Sequence, residues 1–260
     1  MKNDLNEQTK KNFEKLIELV KTLRSEEGCD WDKVQTSESL IPYFIEEVYE
    51  LIDSIDKKDL NNAKEELGDV MLHLVFQAQI SNEKGSYSIN DVLENINTKL
   101  IDRHSHVFNN SSQLTSAKIN WESQKHIEKK RGSRLDGVPS ILPSIIFSQR
   151  IQEKASLAGF DWDNIADVWL KIDEEINELK IAQKANISDN IHEEVGDLLF
   201  TIINLSRHLG ISAENALRKS NKKFIKRFHL LENKISDLNK TIDECSTKDL
   251  NKLWEKIKSE

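Results

Sequence analysis

One arrangement of residues occurs twice in this chain and leaves few folds open to it. Glu47-Val48-Tyr49-Glu50 and Glu66-Leu67-Gly68-Asp69 reappear as Glu175-Ile176-Asn177-Glu178 and Glu194-Val195-Gly196-Asp197, the four acids and the glycine all displaced by 128 residues. Residues three apart share one face of a helix, so each E-x-x-E or E-x-x-D presents two carboxylates side by side. The fifteen residues between the two motifs of a copy suffice to finish one helix, turn, and start another running back. Each copy is therefore expected to form a helical hairpin that brings four acids together.

Composition supports helices over strands. Eight Gly and three Pro in 260 residues, with Leu, Ile, Lys, Glu and Asn dominant, favour helices joined by short connections. A charged fraction of 32% beside 37% hydrophobic leaves enough apolar surface for a core. The net charge of −8 argues against stable nucleic-acid binding but leaves room for a small phosphorylated ligand carried with a metal. Only Cys29 and Cys245 occur, so no disulfide framework is expected. The N-terminus lacks an apolar leader and no run has membrane-spanning length, so the expectation is a soluble, cytoplasmic protein without a membrane partner.

Apolar spacing predicts helices over 8–24, from about Ser37 through Ile55, Leu60–Asn82, and from about Ser88 (with Asn90 as the expected cap) to His106. Residues 109–120 read as a loop and Trp121–Lys125 as a short helix. Lys129–Pro143, with two Gly and two Pro, reads as a linker between units 1–128 and 144–260. The plan then repeats: helices over 144–158, 165–184, 189–209 and 212–235, and a closing Trp254-Glu255-Lys256-Ile257-Lys258 that echoes Trp121-Glu122-Ser123-Gln124-Lys125. The W-D turns at Trp31-Asp32 and Trp162-Asp163, and the K-x-x-x-R faces Lys99/Arg103 and Lys223/Arg227, keep the same order. This is a tandem duplication, all-α.

Four like charges in one cluster repel, and a bound cation or raised pKa values must relieve them. An all-oxygen ligand set selects hard cations, Mg²⁺ first and Mn²⁺ second. Gly68 and Gly196 stand mid-helix, where glycine costs about 1 kcal/mol against Ala, so close packing beside each cluster is expected. The E-x-x-H pairs of ferritin-like di-iron sites are absent from these positions, and no G-x-x-x-x-G-K-[ST] loop occurs. Lys223 and Arg227, one turn apart, would clamp an anion beside the metal. Trp254 would stack on a base or close the core. Trp31 and Trp162 read as structural anchors of the turns before the acidic helices, and His73, His104, His106 and His208 as polar core or surface residues.

At these residues the chain resembles the MazG family, bacterial tandem-domain nucleoside triphosphate pyrophosphohydrolases. The resemblance runs from Gly28-Cys29-Asp30-Trp31-Asp32 to Trp254, through Arg103-His104-Ser105-His106-Val107-Phe108 and Gly159-Phe160-Asp161-Trp162-Asp163. It implies an all-α fold of two tandem helical-bundle repeats, each built around a metal-binding helical hairpin, and a homodimer. The implied reaction cleaves a nucleoside triphosphate between the α- and β-phosphorus atoms, giving monophosphate and pyrophosphate. The second repeat is the one expected to be competent, with Glu175, Glu178, Glu194 and Asp197 on Mg²⁺ and Lys223 and Arg227 on the triphosphate. Trp254 would lie against the nucleotide, with Lys171, Glu193, Lys258 and Lys125 as further substrate contacts. Glu174 or Glu175 would assist as base. Glu47, Glu50, Glu66 and Asp69 would form a second, weaker metal site.

Among the residues that would serve the site, the first repeat departs from the second where Tyr43 stands in the place of Lys171 and His104 replaces Phe228. The first repeat is therefore expected to bind metal and be weakly active or regulatory. Two other classes compete with the enzyme: a Mg-nucleotide sensor without turnover, and a helical dimerisation or scaffold protein whose acids are surface charge.

Overall fold

The computed structural model describes residues 2–108 and 132–259. The chain divides into two compact units, residues 1–113 and 114–260. Among the described residues every regular element is helical. The expected loop at 109–120, the helix at Trp121–Lys125 and the first part of the expected linker lie outside the described residues.

In the first unit α1 (Lys2–Leu23) and the short α2 (Asp30–Lys33) precede the hairpin of α3 (Ile41–Lys57) and α4 (Leu60–Glu83). The hairpin turn is only two residues long. Lys58 takes the left-handed conformation (φ 59°) that closes α3, and the Asp59 side chain accepts from the backbone N–H groups of Asn61 and Asn62 to open α4. So short a connection folds the two helices back against each other. One face of α1 packs on the later half of α4, where Val20, Leu40, Val75, Phe76 and Ile80 form the core with Phe13, Leu16, Ile17 and Leu72. Gly28 sits so close to the end of α1 that a Cβ there would lie 2.3 Å from the Leu23 carbonyl oxygen. The buried Arg24 side chain then ties the turn down, pairing with Glu83 at 2.7 Å and donating to the Asp32 and Gln35 carbonyls.

Three boundaries differ from the sequence expectation. α3 starts at Ile41 rather than near Ser37, because Thr36 and Ser39 exchange backbone-to-side-chain hydrogen bonds that hold a turn, and Pro42 then sits in the first helical turn. α5 (Ile89–Arg103) is capped by Ser88, not Asn90. Ser88 and Asp91 form a reciprocal capping box, while Asn90 bonds Glu94 instead. The helix also breaks at His104, whose Nδ1 lies 2.8 Å from the Leu100 carbonyl, before α6 (Ser105–Phe108).

In the second unit α7 (Ser144–Leu157) leads through Gly159 to the hairpin of α8 (Ile165–Ala185) and α9 (Ser188–His208). Asn186 (φ 53°) makes this turn. Val168, Ile172 and Leu205 form its core with Ile176 and Leu198. α10 (Ala213–Ser236), capped by Ser212, and the closing α11 (Thr247–Ser259) enclose a separate cluster of Leu231, Ile235 and Ile257 with Phe228, Leu253 and Trp254. Among the described residues no helix is long and apolar enough to cross a membrane.

The glycines beside the acids do not mark close packing. A Cβ at Gly68 or Gly196 would meet nothing within 4 Å among the described residues. Each lies on a helix face where the large apolar side chains are themselves exposed: Leu67, Met71 and Leu74 on α4, and Val195, Leu199 and Ile202 at the same positions on α9.

Candidate metal centre and cleft

Each hairpin brings three of its four acids together. Glu47, Glu66 and Asp69 each place a carboxylate oxygen within 4.8 Å of the others, and Glu175, Glu194 and Asp197 do the same. Glu50 and Glu178 stand beside these trios as exposed charges that act on their neighbours through space. Burial, and then the charges of Asp69, Glu50 and Glu66, push the Glu47 carboxyl above its ordinary range. Burial raises Glu66 as well, followed by Glu50 and Asp69, and burial raises Glu194, followed by Glu178, Glu175 and Asp197. Such all-oxygen trios suit a hard divalent cation, which would relieve the same repulsion that protons relieve in its place.

The two clusters offset their charge differently. In the first repeat Glu47 and Glu66 share a hydrogen bond. The Asn62 amide donates to Glu66 at 3.1 Å and to Ser54 at 2.6 Å, fixing the buried carboxylate from behind. In the second repeat Ala182 replaces Ser54 and a cation does the work. Lys171 pairs with Glu174 at 2.8 Å and with the buried Glu175 at 2.9 Å, and these two carboxylates hold its ammonium protonated far above the usual lysine range.

The surroundings differ more. The second cluster opens into a cleft of about 700 Å³, with Lys171, Glu175 and Asp197 in its wall. The rest of that wall is mostly apolar and comes from distant segments: Leu135, Ile151 and Ala155, then Phe160 and Trp162, then Phe200 with Thr201 and Asn204. Trp162 is thus a wall of the cleft, not only an anchor of its turn. The reason is the clamp behind it: Asp161 is gripped by the Arg207 guanidinium and lies 3.1 Å from His208 Nε2. Burial would raise the Asp161 carboxyl, but hydrogen bonds from Arg207 and Ser156 and the Arg207 charge outweigh it and hold the group at about 2. Leu135 reaches the cleft because the buried Lys154 ammonium binds the carbonyls of Arg134 and Asp136 at 3.3 and 3.1 Å, so the described part of the expected linker is part of the site. The first cluster adjoins instead a polar recess of about 460 Å³ lined by Glu46, Tyr49, Glu50, Asp53, Asn62 and Glu66.

The other expected site residues among the described ones do not line the cleft. Lys223 and Arg227 project from α10 and do not line it. Trp254 packs 5.2 Å from Phe224, in the cluster between α10 and α11. Lys258 pairs with Glu255 at 2.9 Å. Glu193 is exposed and acts on Glu194 through its charge, Glu174 is exposed and held by Lys171, and Lys125 lies outside the described residues. His73 behaves as a polar core residue, its ring 5.8 Å from that of Phe44 and its proton affinity lowered by burial.

Comparison with known proteins gives one consistent result. The pattern for a MazG nucleotide pyrophosphohydrolase domain matches twice, over residues 35–108 and 166–230. The chain is 46% identical over 248 residues to the nucleoside triphosphate pyrophosphohydrolase/pyrophosphatase MazG of Thermotoga maritima, covering 95% of each chain. It is 36% identical over 254 residues to the nucleoside triphosphate pyrophosphohydrolase of Escherichia coli K12, covering 95% of this chain and 97% of that one. It also resembles the YabN protein of Bacillus subtilis, at 38% identity, over 51% of that longer protein.

Proposed function

The chain belongs to the MazG nucleotide pyrophosphohydrolase family and is a nucleoside triphosphate pyrophosphohydrolase; we propose that it cleaves its substrate between the α- and β-phosphorus atoms, in the second repeat, with Mg²⁺. The observation that carries this reading is the joining of Glu175 and Asp197 to Phe160 and Trp162 in one cleft. A triphosphate at the acids and a nucleoside along the apolar wall would fill the two halves of such a space.

Glu175, Glu194 and Asp197, with Glu178 beside them, would hold the cation, and Mn²⁺ would substitute for Mg²⁺. Bound there, the metal supplies charge to polarise the phosphoryl oxygens and to acidify a water. The chain's own residues supply the rest. Lys171, at the cleft wall, would offer its ammonium to a phosphate oxygen, and Lys223 and Arg227, one turn apart on α10 and outside that wall, would add two cations to phosphates that extend beyond it. Of the two carboxylates expected as base, Glu175 lines the cleft and Glu174 does not, which favours Glu175.

The first repeat is proposed to bind a cation without turning over substrate efficiently. Its trio has no lysine counterpart to Lys171 and adjoins a recess without an extended apolar wall. A homodimer is also part of the reading, supported by the uncovered apolar triplets Leu67/Met71/Leu74 and Val195/Leu199/Ile202.

Pyrophosphate release from a panel of NTPs and dNTPs with Mg²⁺ tests the proposal, using wild type, Glu66→Ala and Glu194→Ala. Pyrophosphate and monophosphate are expected from wild type, with activity lost in Glu194→Ala and largely kept in Glu66→Ala. Equal loss in both variants overturns the division between repeats. Orthophosphate and diphosphate as products overturn the assigned bond.

A further inference from the structure

Gln152 is buried, 6% exposed, yet contributes to the wall of the large cleft. Its Nε2 donates to the Phe200 carbonyl at 2.8 Å, which fixes the two ends of the amide. The other end, Oε1, is buried with no hydrogen-bond partner among the described residues. An unpaired buried acceptor is unfavourable, and an arriving N–H donor would relieve it. Asn204 lines the same cleft and is less deeply buried. Its Oδ1 accepts from the Arg207 guanidinium at 2.7 Å, so its NH₂ is the end left to donate. The cleft thus pairs a deep acceptor with a shallower donor, beside the aromatic side chains of Phe160 and Trp162.

We propose that Gln152 and Asn204 read the nucleobase in this cleft and select bases with an amino group at the pyrimidine 4-position or purine 6-position. The proposal rests on the pyrophosphohydrolase reading of the same site. The substituent at that position protrudes furthest from the ring and so reaches the deeper amide. An amino group donates to Gln152 Oε1, while the adjacent ring nitrogen accepts from Asn204 Nδ2. An oxo group reverses both contacts: its oxygen meets the Gln152 oxygen lone pair to lone pair, and the ring N–H beside it meets a donor. A site built around hydrogen bonds discriminates against the partner that leaves them unpaired.

The test is kcat/KM for pyrophosphate release, with Mg²⁺, from two matched pairs that differ only in amino against oxo: ATP against ITP, and CTP against UTP. Wild type is expected to favour the amino member of each pair by about tenfold or more. Gln152→Leu is expected to lower both ratios severalfold, leaving the share that Asn204 sets, and Asn204→Asp, which turns the donor into an acceptor, to lower them as well. Ratios near one or reversed in wild type overturn the assignment, as does a full preference kept in Gln152→Leu. Thermal unfolding reports whether that variant folds; if it does not, the wild-type and Asn204→Asp ratios decide. Equal release from all four nucleotides overturns the base reading alone, whereas no pyrophosphate from any of them overturns the pyrophosphohydrolase reading and this one with it.

Discussion

Lys171 sets its ammonium 2.9 Å from the carboxylate of Glu175, whereas Tyr43 holds the matching position in the first repeat. One residue therefore changes what stands beside an acid cluster kept in register between the repeats: a paired cation in the second copy, and in the first neighbouring acids that add to burial in pushing Glu47 and Glu66 up. That difference gives the first prediction. Lys171→Met is expected to tighten Mn²⁺ binding at the second cluster about fivefold, worth about 1 kcal/mol for a partly exposed pair, because a competing cation is gone. Pyrophosphate release is expected to fall, since the same ammonium is proposed to meet the phosphates. Calorimetric titration with Mn²⁺ in a Glu66→Gln background, which silences the first cluster, checks the affinity. Unchanged Mn²⁺ affinity would show that Lys171 is not the counterion a metal displaces.

The raised carboxyls set a pH dependence. Glu47, Glu66 and Glu194 hold their protons above the ordinary carboxylate value of 4.5, so the folded chain binds more protons than the unfolded one. Their contribution to stability is full below that value and is lost as pH rises through the raised folded values. The metal-free midpoint of thermal unfolding is expected to fall as pH is raised from 5 towards neutrality. Saturating Mg²⁺ or Mn²⁺ should flatten that fall by replacing the protons, so the stabilisation by metal grows with pH. Melting curves in EDTA and in metal across this range check it. A metal effect independent of pH would count against binding at these carboxylates.

The Asp161–Arg207 clamp has the opposite sign. Asp161 is depressed from 3.8 to about 2, so its contribution is full above 3.8 and disappears as pH falls through about 2. After allowance for solvent screening, Asp161→Asn is expected to cost about 1 kcal/mol at pH 7. The gap between variant and wild type should close under strongly acidic conditions. Because the clamp seats Trp162, KM for nucleotides is expected to rise as well. Denaturant unfolding at pH 7, with steady-state kinetics, measures both; a stable variant with unchanged KM would show that the clamp does not hold the cleft wall.

Two glycine substitutions separate an internal constraint from an external one. Gly28→Ala would put a Cβ 2.3 Å from the Leu23 carbonyl oxygen and is expected to destabilise the chain by about 2 kcal/mol or more. Gly196→Ala meets nothing within 4 Å among the described residues, so helix propensity alone would add about 1 kcal/mol. If the apolar face around Gly196 is the proposed dimer contact, sedimentation should show Gly196→Ala shifted towards monomer. A variant that is more stable and just as dimeric would place the interface elsewhere.

Much of the local structure was legible in the residues. The three-residue spacing of Glu47/Glu50 and Glu175/Glu178 put those acids on common faces, and the short Lys58-Asp59 turn folded the hairpin as its length demanded. Boundaries were less legible where side chains competed for the same backbone groups: Ser88 against Asn90 as a cap, or Thr36 and Ser39 against the start of α3. The glycines misled: their cost in a helix suggested a close neighbour, but a Cβ at Gly68 or Gly196 would meet nothing within 4 Å among the described residues. Trp162 could be recognised as part of a repeated turn, but nothing adjacent to it announced a cleft.

By itself the sequence determined the helices, the duplication and the two acid clusters, because periodicity and spacing act over a few residues of one hairpin. Only the tertiary structure decided that Leu135, Gln152, Trp162, Glu175 and Asn204 share one wall, since that depends on how α7, α8, α9 and the segment before them pack. It also decided which amide ends stay free, because Phe200 and Arg207, which fix Gln152 and Asn204, reach them through the folded chain. Helical periodicity specifies which residues share a face, but a binding cleft is made by several faces meeting, and side-chain packing between segments far apart in sequence sets that meeting.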